Sequence, residues 1–319
     1  MGGRGGGEDF RGRDRIHPGR RGGPVIDPEI LKQVRRIQVR TRRLVTDLLV
    51  GGYTSVFKGS GIEFDEVREF AEGDDIRSVD WNVTARTGRP FVKKFVEERE
   101  LTLIFLVDTG PSLLYGSQAR SPRRGAAELC ACLAFAALRS NDKVGLLFCG
   151  EKPGAYVPPG KGPTHVMRVV REVLAQPAER RGGGIPEGVE FLGRILRRRS
   201  IVFVVSDYHF DLDPLEGPLK RISRRHDVIG AHLLDPRNLD LPRVGLLEMA
   251  DAETGERILL DTGSAAVRRL WREAGERRLA EVGTLFKRAG ADRMVVRLDE
   301  PPTTPLLRLF KERERRRAV

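Results

Sequence analysis

Beginning at Leu101, the chain alternates compact, nearly wholly apolar runs with longer stretches whose apolar residues recur at helical spacing. Residues 103–107, 144–149, 201–206 and 228–234 are runs of the first kind; residues 126–138, 165–175 and 215–225 are of the second. A strand that is apolar at successive positions has both faces covered, which is the condition of a parallel sheet with helices on either side. The pattern predicts an open, mainly parallel α/β sheet of the Rossmann type, flanked by helices. Residues 246–250 and 257–260, on either side of Glu253-Thr254-Gly255-Glu256, predict a β-hairpin. A long helix from about Ser264, a strand at 294–298 and a last helix from Thr304 complete a domain spanning 101–319.

Upstream the texture differs. Residues 1–24 are rich in Gly and Arg with almost no apolar content, so they bury too little surface to offset ordering entropy and are predicted to be a disordered head. Asp27-Pro28 supplies an N-cap and a first-turn proline, opening a helix predicted to run to about Val50 and to stop at Gly51-Gly52. Residues 53–57, 62–70, 79–85 and 91–96 read as short strands of a small antiparallel layer. Residues 25–100 are thus a helix plus a β-rich segment.

The chain of 319 residues is long enough for a sizeable core, and its 32% of charged residues describes a highly charged surface. A net charge of +12 raises nucleic acid as a partner, because clustered Lys and Arg gain affinity by releasing counterions from phosphates; a solvated basic surface is the plainer reading. Only 6% of residues are aromatic, which argues against a base-stacking platform. Cys130, Cys132 and Cys149 form no CxxC pair and are odd in number, so a reducing, cytoplasmic setting is expected. No stretch approaches the roughly 20 apolar residues of a membrane helix.

Ligands of open parallel sheets bind beyond the carboxyl ends of the strands. Asp108 ends the first buried run, with Ser112 four residues on; Ser206 and Asp207 end the third. If those strands are neighbours, Asp108, Ser112 and Asp207 converge as an oxygen-only ligand set suited to Mg2+ or Mn2+. The competing reading is that both acids cap the turns that follow. No His-activated Ser, Cys with a base, or acid and base pair stands nearby in sequence, so no enzyme is expected.

The run GIEFDEVREFAEGDDIRSVDWNVTARTGRPFVKKFVEERE, residues 61–100, resembles the signature of the DUF58 family, and the likeness extends from about Leu44 to the C-terminus. The resemblance implies a von Willebrand factor A (vWA)-like domain with a metal-ion-dependent adhesion site. Asp108 and Ser112 match the ends of its Asp-x-Ser-x-Ser motif, with Gly110 in place of the middle serine; Asp207 matches the later acid and Thr164 the loop threonine. It further implies a MoxR-type AAA+ ATPase as partner, the pair acting on a client protein in chaperone-like assembly or metal insertion. Asp74, Asp75, Arg77, Asp80 and Trp81 then read either as a docking surface or as an internal hydrogen-bond and salt-bridge set.

Other motifs carry less. Asp-Thr-Gly occurs at Asp108 and at Asp261, as in aspartic proteases, where two carboxylates share a proton. Between them the chain alternates strands and helices, whereas those proteases are almost wholly β; Asp261 and Thr262 are instead expected to cap the helix holding Val267, Leu270 and Trp271. Residues 154–162, GAYVPPGKG, depart from a phosphate-binding loop in glycine spacing and are expected to be a strand-to-helix loop. His165, His209, His226 and His232 lack metal-ligand spacing and are expected to be ordinary surface histidines.

Overall fold

A computed structural model of the chain describes residues 45–57, 66–71, 79, 81–94, 100–118, 120–177, 179, 181–252 and 254–317, together with 32, 36, 37, 39 and 41. In chain order its elements are α1 (Asp47–Phe57), β1 (Glu66–Glu69), α2 (Trp81–Thr87), β2 (Phe91–Lys94), β3 (Thr102–Asp108), α3 (Pro122–Arg139), β4 (Lys143–Cys149), β5 (Pro153–Gly160), α4 (Pro163–Ala175) and α5 (Ile185–Ile195). There follow β6 (Ile201–Ser206), α6 (Asp213–Ser223), β7 (Asp227–Leu234), β8 (Leu246–Ala250), β9 (Arg257–Asp261), α7 (Ala265–Arg288), β10 (Asp292–Arg297) and α8 (Thr303–Arg317).

Six strands form one sheet in the order β10-β7-β6-β3-β4-β5, parallel throughout except for β5, which runs antiparallel to β4 along the edge. This is the open, mainly parallel sheet anticipated from the sequence. Strand pleating divides each run between two cores. Leu103, Phe105 and Val107 of β3 face α1, α3, α4 and α8, while Ile104 and Leu106 face α5, α6 and α7. All six residues of the central β6 are buried, and each large apolar side chain so covered contributes about 1.5–3 kcal/mol. The β1–β2 and β8–β9 pairs are separate antiparallel ribbons.

Several expectations are corrected. The helix expected to run to Val50 is interrupted at Val45-Thr46, and α1 then passes through Gly51-Gly52 to Phe57, so residues 53–57, expected as strand, are its last turns. A Cβ on Gly52 would lie 2.8 Å from Phe310 Cδ2, so glycine there permits the close approach of α1 to α8 rather than ending the helix. Tyr53 of the same helix is fully buried and donates to Asp142 Oδ2 at 3.1 Å. Residues 81–85, also expected as strand, belong to α2. Residues 153–160 are a strand rather than a loop; Pro158 and Pro159 are tolerated because β5 is an edge strand and owes no donor to a further neighbour. Helix α5 was not anticipated. The cap of α7 is Ser264, whose Oγ accepts from Val267 N at 3.4 Å; Asp261 instead caps Gly263 N at 2.9 Å. The Gly/Arg-rich head lies outside the described residues. No described helix is long and apolar enough to cross a membrane.

Candidate functional site

The sheet order reverses between β3 and β6, and at such a switch point the loops leaving the two strands part in opposite directions and open a crevice. Asp108 and Asp207 stand there, at the carboxyl ends of these neighbouring strands, 5% and 6% exposed. Ser206 Oγ donates to Asp108 Oδ2 at 2.6 Å and Gly110 N to Oδ1 at 2.8 Å. Ser206 Oγ also accepts from Tyr208 N at 2.9 Å, and Asp207 Oδ1 accepts from His209 N at 3.2 Å. Tyr208 takes a left-handed conformation, φ 56°, uncommon for a residue with a Cβ, and so reverses the chain directly after Asp207. Its hydroxyl donates to Val204 O at 2.7 Å, and burial together with Asp108 holds its pKa well above the ordinary value.

Ser112 lies on a short 3-10 turn, Pro111–Leu114, and lines a cleft of about 800 Å3 beside His209, His232, Trp271 and Arg278. The sequence thus brings Asp108, Asp207 and Ser112 to one end of the sheet. It does not bring Thr164. Strand β5 runs antiparallel, so its last residue, Gly160, pairs with Val144 at the start of β4, and α4 begins at the amino end of the sheet. Thr164 is exposed there, next to His165, whose Nε2 lies 2.8 Å from Val144 O. The expectation that Thr164 joins the site is therefore corrected. Asp74, Asp75, Arg77 and Asp80 lie outside the described residues; Trp81 is 67% exposed at the start of α2.

One residue of the rim went unanticipated. Glu179, in the segment between α4 and α5, accepts from Thr109 Oγ1 at 3.3 Å and from Glu151 N at 3.3 Å, while its own N–H donates to Thr109 O at 2.9 Å. It adds a carboxylate over the ends of β3 and β4, although among the described residues no three His, Cys, Asp or Glu side chains are grouped closely enough to hold a metal. No strand-end position marks it in the sequence, since it sits in a Pro-, Arg- and Gly-rich loop. Cys149, ending β4, donates to Gly184 O at 2.7 Å, and burial, then Asp108 and Glu187, push its pKa up to about 12. It is held as a thiol.

His232 is not a surface residue: it is 2% exposed on β7, and burial, then Arg293, His209 and Arg278, push its pKa down to about 3. His226 is likewise buried, at 5% exposure. Of the two Asp-Thr-Gly motifs, the first ends a central strand and the second ends β9, where Asp261 is exposed on a separate ribbon. The two aspartates thus lie on separate sheets.

The chain is similar to uncharacterized proteins of Mycobacterium tuberculosis and Mycobacterium bovis, each 29% identical over 299 residues covering 92% of both chains. Among solved structures it is similar to an aerotolerance-related membrane protein of Bacteroides fragilis, at 14% identity over 68% of this chain and 99% of that one, with a TM-score of 0.45. BatB of Bacteroides thetaiotaomicron, a conserved hypothetical protein, gives 15% identity, 68% and 98% coverage and a TM-score of 0.45. The SpRpn10 VWA domain gives 14%, 67% and 94%, and 0.35. Residues 66–281 match the family described as "Protein of unknown function DUF58", and the chain belongs to that family.

Proposed function

We propose that the chain is a non-catalytic protein-binding module whose partner docks on the rim beyond the carboxyl ends of β3 and β6, assisted by a divalent cation. The observation that carries this reading is the pair of buried carboxylates, Asp108 and Asp207, at adjacent strand ends on the switch point, with no Lys or Arg ion-paired to Asp207 among the described residues. Burying carboxylates is costly without a compensating charge. Two acids and a hydroxyl offer the oxygen donors that a hard cation takes, so this set fits Mg2+ or Mn2+ in kind. Asp108, Asp207 and Ser112 would hold it; Gly110 has no side chain to offer and Thr164 stands at the other end of the sheet. Bound there, the cation supplies an electrophilic point for a carboxylate of the partner. Cys149, held as a thiol, is no ready nucleophile, in keeping with binding rather than catalysis.

The partner we assign is a MoxR-type AAA+ ATPase, with the client protein engaged through the pair. The test is retention of purified MoxR-type ATPase by the immobilised full chain, comparing wild type with Asp207→Ala in Mg2+ and in EDTA. Retention by wild type in Mg2+ alone supports the reading. Equal retention in all four conditions would contradict it.

A further inference from the structure

A second cleft, of about 780 Å3, opens at the opposite end of the sheet, where β6, β7 and β10 begin. Six cations line it, Arg199, Lys287, Arg293, Arg313, Arg316 and Arg317, against two carboxylates, Asp227 and Asp292. Arg313 is committed to both acids: its two terminal nitrogens donate to Asp227 and its Nε to Asp292, each at 2.7 Å. Arg199 and Lys287 are exposed and have no ion-pair partner among the described residues. Helices α6 and α7 end here, and their carbonyl dipoles offset part of the positive charge. Dipoles do not account for the two buried groups that share the lining.

The first is His226. Ser200 N donates to its Nδ1 at 3.3 Å, so Nδ1 is the acceptor nitrogen and, in the neutral ring, the proton sits on Nε2. Burial, then Arg225 and Arg199, lower its pKa, which keeps the ring neutral and Nε2–H a donor. That Nε2 is buried without a partner, and so is the hydroxyl oxygen of Ser223, the last residue of α6. Buried donors without acceptors are rare and costly in native proteins. Both residues line the same cleft as Arg199 and Lys287.

We infer that this cleft binds the phosphate group of a small phosphorylated ligand, with Nε2–H of His226 and the Ser223 hydroxyl donating to its oxygens and Arg199 and Lys287 neutralising its charge. Phosphate offers several strong acceptor oxygens and close to two negative charges, which matches two neutral donors set among surplus cations. The aromatic residue of the lining, Phe286, is fully buried, so the cleft presents no exposed ring on which a nucleobase could stack. A compact phosphate group is favoured over a polynucleotide. This site is separate from the carboxyl-end rim and does not depend on the role proposed for it.

Calorimetric titration of the full chain with inorganic pyrophosphate at low salt tests the assignment. Saturable binding is expected, weakened about tenfold or more in Arg199→Ala/Lys287→Ala, a pair of exposed positions whose replacement is expected to change stability little. His226→Leu is expected to weaken it further, and His226→Gln, which keeps an N–H donor, to restore most of it. Absence of saturable binding, or a double variant that binds as tightly as wild type, would overturn the proposal. So would tight binding of a single-stranded oligonucleotide that pyrophosphate fails to displace.

Discussion

The two ends of the central sheet carry opposite charges and use them differently. At the amino end, Arg313 joins the first residues of β7 and β10, is only 12% exposed in its side chain, and lies 5.3 Å over the Phe57 ring, so that one guanidinium ties α8 to two strands and to α1. At the carboxyl end, Asp108 is held by a hydroxyl and a backbone amide, and Asp207 by a backbone amide, with no cation paired to Asp207 among the described residues. Charge at the first end is cross-linked within the fold; the charge of Asp207 at the second is oriented by a neutral donor. A buried pair that satisfies itself holds elements together, whereas an acid with no cation paired to it, as at Asp207, is open to a cation that arrives.

The sharpest way to break this contrast is Arg313→Ala. It leaves Asp227 without its cation and Asp292 with Arg316 alone, and a loss of about 3 kcal/mol in a urea unfolding curve is expected, the lower end of what breaking a buried pair costs. A loss under about 0.5 kcal/mol would show that the amino-end cluster is no more structural than the acids opposite.

A smaller effect at the amino end is a dependence on pH. The pKa of His226 is lowered by burial, then by Arg225 and Arg199, so the unfolded chain takes up a proton below the ordinary histidine value of about 6.5 that the native ring refuses. The unfolded state then binds more protons, so the contribution is complete above about pH 6.5 and is lost as pH falls below it, by at most about 1.4 kcal/mol per pH unit. His226→Gln is expected to flatten the acid limb of stability against pH. An unchanged limb would remove His226 from the account.

The fold was legible where burial is two-sided: runs such as residues 201–206 have no polar position to misread, and β6 is found at those residues. It was misread where the local pattern and the tertiary contact disagree. Gly51-Gly52 is locally a helix stop, yet Gly52 serves the contact with Phe310 across hundreds of residues of chain. The prolines of β5 deny a strand in isolation, and only its place at the sheet edge permits one. In the site, Asp108 and Asp207 were marked by ending buried strands, a cue that survives without knowing the topology. Thr164 had no such cue, and the antiparallel turn of β5 carried it to the far end. Glu179 and the buried state of His226 and His232 arise from packing between distant segments, which no local spacing encodes.

The most direct test of the central claim, that the carboxyl-end acids are kept for a cation, is the melting temperature of wild type and Asp207→Asn in EDTA and in excess Mg2+. A ligand that binds only the native state, at free concentration L, stabilises it by RT ln(1 + L/Kd) and so raises the melting temperature as its concentration exceeds its dissociation constant. The account predicts that Mg2+ raises the melting temperature of wild type and leaves Asp207→Asn unmoved, with the two proteins within about 1 kcal/mol of each other in EDTA. No Mg2+ effect on wild type, or the same rise in both proteins, would contradict it.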